Sequence, residues 1–254
     1  MSAVLILVAF AVTLILFAPR LMTRATWATR NPALGIWAWQ TLSTSAATAL
    51  VLAGVAAALP ETVLGDRVAA ALRACSAALA NHYETPGGRP VAAVLLVASL
   101  GVLARFATVL TRDTRRARRH RRTQDDGLAL VAVDHPGGFK VVDHGLPLVY
   151  CVPGRHQAVV VTSAAQRSLS RHQLDLVLAH ERRHLVVRHH LALRVSGALS
   201  RTFLDVGVFG HAHREITLLA EMQADDAVER GTDRRDLARA LLTLSPRTPA
   251  GSLA

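Results

Sequence analysis

The sequence predicts an α+β membrane protein, in which three transmembrane helices precede a domain built of a small antiparallel sheet and of helices that carry metal ligands. Three observations predict this fold class. Residues 1–111 contain three long apolar runs, an arginine-rich run follows the third, and an H-E-x-x-H motif lies in a later helical pattern. Apolar residues form 51% of the 254-residue chain although its formal net charge is +11. This combination is typical of a membrane protein with basic flanks.

The membrane domain, residues 1–111, is predicted to contain transmembrane helices at about 3–18, 34–59 and 91–110. Each run is close to the length that a hydrocarbon core of ~30 Å requires. A cleaved signal peptide is the alternative for the first run, but Pro19-Arg20 follows it where small cleavage-site residues would stand. We therefore expect a multi-pass protein of the cell membrane, in contact with membrane lipids.

The basic residues predict the orientation. The loop after the first run carries three arginines and no acid, the loop at 60–90 carries both signs, and residues 112–127 are rich in arginine. The positive-inside rule then places the N-terminus outside, and the basic linker 112–127 with everything after it in the cytoplasm. Because the linker adjoins a membrane span and lacks interleaved aromatic residues, we expect it to contact lipid headgroups and expect no direct nucleic-acid binding.

The region after the linker changes its hydrophobic period. Between residues 128 and 162 lie four short β-rich runs separated by turn residues, LALVAVD, FKVVD, PLVYCV and QAVVVT. They predict a small antiparallel sheet, with the last run, 157–162, as an edge strand that can hold an extended peptide. Residues 195–210 predict a helical hairpin that either lies at the membrane surface or re-enters the membrane, 215–230 predict a further helix, and 245–254 a disordered tail.

The H-E-x-x-H motif comprises His180, Glu181 and His184. Four residues turn a helix by about 400°, so both imidazoles lie on one face, as two ligands of a catalytic zinc do. Glu181 stands where it can take a proton from a water molecule. Ser170 and Gln173 predict a capping box that starts this helix.

A catalytic zinc needs a third protein ligand, for which the sequence offers two candidates. His190 has the spacing of a third histidine, but Val187 stands where the chain would need a glycine to turn, and in a continuing helix His190 lies about 120° from the ligand face, with His189 little better. Glu221 and Asp225, four residues apart, share a helix face. One carboxylate can bind the metal while the other orients a ligand imidazole, and we favour Glu221 as the ligand.

The stretches LSRHQLDLVLAHERRHLVVRHH and EMQADDA resemble the BlaR/MecR-type integral-membrane zinc metallopeptidases, relatives of the HtpX and prenyl-protein endopeptidases, over residues 145–228. The resemblance implies that His180, His184 and Glu221 bind Zn²⁺, that Glu181 is the catalytic base, and that Asp225 orients a ligand. It also implies a cytoplasmic, zincin-like peptidase domain at 128–244. Arg182 and Arg183 depart from the charge-free positions of many zinc proteases, although both point away from the predicted metal face.

The resemblance implies a zinc metalloendopeptidase that cleaves a cytoplasmic protein, either a winged-helix transcriptional repressor or the protease itself, in signal transduction. Two alternatives remain: an HtpX-like quality-control protease of membrane proteins, and a non-catalytic membrane transducer with a structural zinc. The similar sensors carry a penicillin-binding domain with an S-x-x-K motif. The one lysine here, Lys140, has Gly137 three residues before it, and no span is predicted after residue 225. We therefore expect this chain to lack the penicillin-sensor domain.

Overall fold

A computed structural model of the chain describes residues 2–58, 88–153, 157–228 and 231–244. They form two units: one contains the described residues of 1–113 and 193–217, and the other contains those of 114–192 and 218–254. Most of the predicted 60–90 loop and the predicted tail lie outside the described residues.

The first unit contains long apolar helices. They are α1 (Ser2–Met22), the short α2 (Thr26–Arg30), α3 (Pro32–Ala58) and the first part of α4 (Gly88–Val131). Among the described helices, α1, α3 and α4 are long and apolar enough to cross a membrane. The three predicted apolar spans are therefore confirmed as helices. The predicted bounds lie close to those of α1 and α3, whereas α4 continues beyond residue 110 through the whole of the basic linker.

The second unit contains a four-stranded sheet. Its strands are β1 (Ala132–His135), β2 (Phe139–Val142), β3 (Val149–Val152) and β4 (Ala158–Thr162), in the order β1-β2-β4-β3. The first strand is shorter than predicted, because residues 128–131 still belong to α4. The pairs β1–β2 and β3–β4 are antiparallel, but β2 and β4 are parallel, so the sheet is mixed and the prediction of an antiparallel sheet was wrong.

The prediction of 157–162 as an edge strand was also wrong, because β4 lies between β2 and β3. Val159, Val160 and Val161 are all buried, and such a continuous apolar run is typical of a strand covered on both faces. Side-chain hydrogen bonds hold the ends of β2 and β4 together: the Ser163 hydroxyl donates to Asp143 Oδ1 at 2.5 Å. Since both strands end at this point, they run parallel. The edge strands are β1 and β3.

The remaining helices are α5 (Ser163–Ser168), α6 (Arg171–Val187), α7 (His189–Thr202), α8 (Val208–Asp225) and α9 (Thr232–Leu244). Helix α6 carries the H-E-x-x-H motif. On one side, Leu178 and Leu185 pack into a core with Phe139 and Val161 of the sheet. On the other side, Val177 packs with apolar residues of α9. The motif helix is thus fixed by two cores, which leaves a third face for its histidines.

The region predicted as a helical hairpin, 195–210, contains the second half of α7, the connection and the start of α8, and the helix predicted at 215–230 to carry Glu221 belongs to α8. The connection between them contains three residues with positive φ, Leu204, Asp205 and Gly207. In the first unit, Ser196 on α7 and His213 on α8 lie 3.0 Å apart at hydroxyl oxygen and Nδ1. Arg105 of α4 donates hydrogen bonds to the carbonyl groups of Arg201 and Thr202 at the end of α7.

Candidate metal centre

Helix α6 begins with the predicted capping box. The Ser170 hydroxyl accepts a hydrogen bond from the Gln173 backbone N–H, and the Gln173 side chain accepts one from the Ser170 N–H. The box satisfies two of the amide groups that the first turn of a helix leaves unpaired. This fixed start sets the rotational position of the motif, ten residues further along the helix at His180.

Helix α6 ends at Val187, which contradicts the expectation that it continues. Arg188 adopts the left-handed conformation with φ 59° and ψ 42°, and its N–H bonds the carbonyl groups of His184 and Leu185. A left-handed residue ends many helices, although glycine is the usual choice. The sequence gives little sign of this break because an arginine occupies the position. The argument that placed His189 and His190 on a continuing helix therefore does not apply.

His180, His184 and Glu221 come together as predicted, within one group that could hold a metal ion. The Nε2 atoms of the two histidines lie 3.2 Å apart. Glu221 Oε2 lies 3.6 Å from His180 Nε2 and 3.7 Å from His184 Nε2. Tetrahedral coordination with bonds of about 2.05 Å needs ligand atoms about 3.3 Å apart. The three distances fit one metal ion bound by all three side chains.

Asp225 lies behind His180, one helical turn after Glu221. Its Oδ1 atom is 3.0 Å from His180 Nδ1, the ring nitrogen that does not face the ligand group. A carboxylate in this position favours a proton on Nδ1 and so leaves the lone pair of Nε2 for the metal. The structure thus brings the predicted pair Glu221 and Asp225 to the two different nitrogen atoms of one imidazole.

His184 has a different neighbour. Its Nδ1 atom lies 2.8 Å from Nδ1 of His189, the second residue after the end of α6. His189 Nε2 in turn lies 2.9 Å from Gln223 Oε1. His189 is 2% exposed and Gln223 is 7% exposed, so these contacts are closed to solvent. The sequence analysis assigned no role to either residue.

The half-buried Glu181 lies next to Cys151 of β3. Burial raises the pKa of Glu181, while hydrogen bonds from the side chain and main chain of Cys151 lower it; the pKa remains above its ordinary value of 4.5. Burial and the nearby Glu181 raise the pKa of the Cys151 thiol to about 12. Glu181 is thus a carboxylate at the edge strand of the sheet, with a pKa shifted toward neutrality.

The two ligand histidines differ in charge behaviour. Burial lowers the pKa of His180, but the carboxylates of Glu221, Asp225 and Glu181 outweigh it and raise that pKa above 6.5. Burial lowers the pKa of His184 to about 4, with contributions from His180 and His189. Interaction with His180 lowers the pKa of Glu221 below 4.5. Near neutral pH, His184 is therefore a neutral imidazole and Glu221 a carboxylate, which are the forms that bind a metal.

Other candidates of the sequence analysis lie outside this group. His190 is not among the three residues that could share a metal. Two further histidines, on α8, contact other partners: His211 Nδ1 lies 2.9 Å from the Gly207 carbonyl oxygen, and His213 Nδ1 lies 3.0 Å from the Ser196 hydroxyl oxygen. Arg182 points away from the ligands, as predicted, and donates a hydrogen bond of 2.6 Å to the Gly137 carbonyl oxygen in the turn between β1 and β2.

Three residues near the site were missed by sequence reasoning: His189, Gln223 and Cys151. For Gln223 the sequence held a usable signal, because this polar residue stands between the two acidic residues of Glu221-Met222-Gln223-Ala224-Asp225. The paired His189-His190 was a weaker signal, since its use depends on the break at Arg188. Cys151 shows no sign in the sequence of its proximity to Glu181.

Comparisons of this chain with protein-family models, curated proteins and solved structures found no match. The resemblance to the BlaR/MecR-type metallopeptidases therefore depends on the motif residues alone.

Proposed function

We propose that this chain is a membrane-anchored zinc metalloendopeptidase that cleaves a cytoplasmic protein, either a transcriptional repressor or itself, in regulated proteolysis. The observation that carries the proposal is the group of three ligand atoms at 3.2–3.7 Å, with Glu181 of the same helix beside it. Glu221 is 57% exposed while His180 is 5% exposed, so the group is held by a buried face and open on one side. An open position is what a catalytic zinc requires.

A zinc ion held by His180, His184 and Glu221 would polarise the scissile carbonyl group and make a water molecule more acidic. Glu181 accepts the proton of the attacking water and returns it to the leaving amine. Its raised pKa favours this exchange, because a base works best with a pKa near the working pH. Asp225 holds the imidazole of His180 in place, and His189 holds that of His184.

The outer edge of β3 is the proposed binding strand for an extended substrate. Thr162 N–H donates to the Leu148 carbonyl group, which marks the position before β3 as hydrogen-bonded to β4. Antiparallel pairs alternate, so the Cys151–Val159 pair is not hydrogen-bonded, and the N–H and C=O groups of Cys151 point away from β4. This edge lies beside Glu181, since the Cys151 main chain bonds its carboxylate. A peptide paired with this edge would bring its backbone to the proposed base.

One observation weighs against the structural-zinc alternative. Structural zinc sites are normally closed by four protein ligands, and the group found among the described residues has three. A quality-control protease of the HtpX kind would use the same site, and only its substrate would distinguish it from a signalling protease.

The test is a pair of variants in the full chain, purified in detergent. Glu181→Gln keeps the size of the side chain but cannot act as a base, so we expect it to retain about one zinc per chain and to lose proteolysis of a repressor or of itself. Glu221→Ala removes a ligand and should lose both metal and activity. His190→Ala is the matched control, expected to keep its zinc. Cleavage by Glu181→Gln at the wild-type rate would refute the proposed chemistry. If His190→Ala loses its zinc while Glu221→Ala keeps it, the proposed set of ligands is wrong.

A further inference from the structure

The contacts behind His184 form a line of three polar side chains, His184, His189 and Gln223, which we name the imidazole relay. It runs from His184 Nδ1 to His189 Nδ1 at 2.8 Å, and from His189 Nε2 to Gln223 Oε1 at 2.9 Å. His189 and Gln223 are more than nine-tenths buried. Because water cannot replace a lost partner at such positions, the proton on each nitrogen is determined by its neighbour.

The direction of the relay follows from its last member. The Gln223 Oε1 atom can only accept, so His189 Nε2 must carry a proton. A neutral imidazole has one proton, which leaves His189 Nδ1 as an acceptor. His184 Nδ1 must then carry a proton and donate it, and the lone pair of His184 lies on Nε2. That nitrogen is the one in the ligand group, 3.7 Å from Glu221 Oε2.

The opposite direction would prevent metal binding. With the Gln223 amide turned over, its NH₂ group would donate to His189 Nε2, His189 Nδ1 would donate to His184 Nδ1, and the proton of His184 would move to Nε2. An imidazole protonated on Nε2 offers no lone pair there. The orientation of one buried amide therefore decides whether His184 can act as a ligand.

We propose that Gln223 and His189 are positioning residues of the metal centre, which hold His184 in the tautomer that binds the metal through Nε2. Neither residue is a ligand. Helix α8 would then act on both ligand histidines: Asp225 fixes the tautomer of His180 directly, and Gln223 fixes that of His184 through His189. The proposal rests on the metal site of the proposed function and is independent of proteolysis.

The decisive variants are Gln223→Glu and Gln223→Met, which have similar size. The glutamate can only accept, so it keeps the direction of the relay, whereas methionine removes the acceptor. We expect Gln223→Glu to bind zinc at least as tightly as wild type. Gln223→Met should bind about tenfold more weakly and His189→Leu about 10–100-fold more weakly, which is the range for partners of ligand residues. Zinc affinity is measured in detergent by competition with a chromogenic chelator, and Gln166→Met, on α5, is the matched control.

A second readout does not require metal. In metal-free protein labelled with ¹⁵N-histidine, the shifts of His184 should show a protonated Nδ1 and a bare Nε2 in wild type and in Gln223→Glu, and a mixture in Gln223→Met. Equal weakening by Gln223→Glu and Gln223→Met would show that an acceptor at residue 223 does not set the tautomer of His184 and would overturn the proposal, as would wild-type affinity in both Gln223→Met and His189→Leu. Wild-type protein that binds zinc and shows these shifts but cleaves nothing would refute the proposed function and leave the relay standing.

Discussion

The two histidines of the metal centre come from one helix and face one carboxylate, yet they are supported in opposite ways. Behind His180 lies an anion, with Asp225 Oδ1 at 3.0 Å, and the ring is 5% exposed. Behind His184 lies a neutral imidazole, with His189 Nδ1 at 2.8 Å. The pKa of His180 is consequently raised, and burial lowers that of His184 to about 4.

The difference shows how the site limits its own charge. Two imidazolium cations with nitrogen atoms 3.2 Å apart would repel each other, so only one of the two rings can easily take a second proton and become charged. The ring beside Asp225 is the one favoured to hold it. The other ring stays neutral because burial disfavours its charged form, and its partners behind it, His189 and Gln223, bring no negative charge that would offset this. A metal ion then has to displace about one proton rather than two.

The largest expected effect on this comparison comes from removing the anion. Asp225→Ala removes the carboxylate that lies 3.0 Å from His180 Nδ1, and we expect the dissociation constant for zinc to rise about 10–100-fold. Asp225→Asn keeps an oxygen near Nδ1 but loses the charge, so it should fall between Ala and wild type, because a neutral oxygen attracts the ring proton less strongly than a carboxylate does. Chelator competition measures all three. An Asp225→Asn variant as weak as Asp225→Ala would mean that only the charge matters.

The next effect is the pH dependence of metal binding. Zinc binds neutral imidazoles and a carboxylate, so each proton that must leave weakens binding as the pH falls. Below 6.5 the wild-type His180 is protonated, whereas His184 remains neutral down to about 4. Affinity should therefore fall about tenfold for each pH unit between 6.5 and 5, the slope for one proton. A slope of two protons would contradict the opposite shifts of the two rings.

The same measurement can be sharpened with Asp225→Asn. Loss of the negative charge should lower the pKa of His180, so the onset of the pH dependence moves to lower pH while the slope stays that of one proton. An onset that stays at the wild-type pH would show that Asp225 does not support the charge of His180.

The sequence predicted the half of the site that depends on regular helix geometry. His180 and His184, and Glu221 and Asp225, are each four residues apart, and a helix brings such pairs to one face whatever surrounds it. The capping box of Ser170 and the apolar spans of α1, α3 and α4 follow from local patterns of the same kind.

What the sequence did not predict depends on contacts between distant segments. The parallel pairing of β2 with β4 follows from where the chain returns after residue 142, which strand periodicity does not encode. The relay behind His184 needs both the break at Arg188 and the approach of Gln223, 34 residues after His189. An arginine in the left-handed conformation is held there by its surroundings, and no local preference announces it.

The smallest expected effect concerns the break of the helix at Arg188. The contact behind His184 depends on this break, whereas the contact behind His180 does not. Arg188 has φ 59°, a conformation that costs a residue with a side chain roughly 1–2 kcal/mol and costs glycine almost nothing. Glycine also gains more freedom in the unfolded chain, which offsets about 0.5–1 kcal/mol of the advantage. We therefore expect Arg188→Gly to raise the free energy of unfolding by up to about 1.5 kcal/mol and to leave zinc affinity unchanged. Arg188→Val, which opposes the left-handed conformation, should lower the thermal unfolding temperature in detergent and weaken zinc binding by moving His189 away from His184. Because Asp225 does not depend on this turn, the pKa of His180 should stay raised in both variants. If Arg188→Val keeps full zinc affinity while its stability falls, the helix break is needed for folding but not for the support of His184.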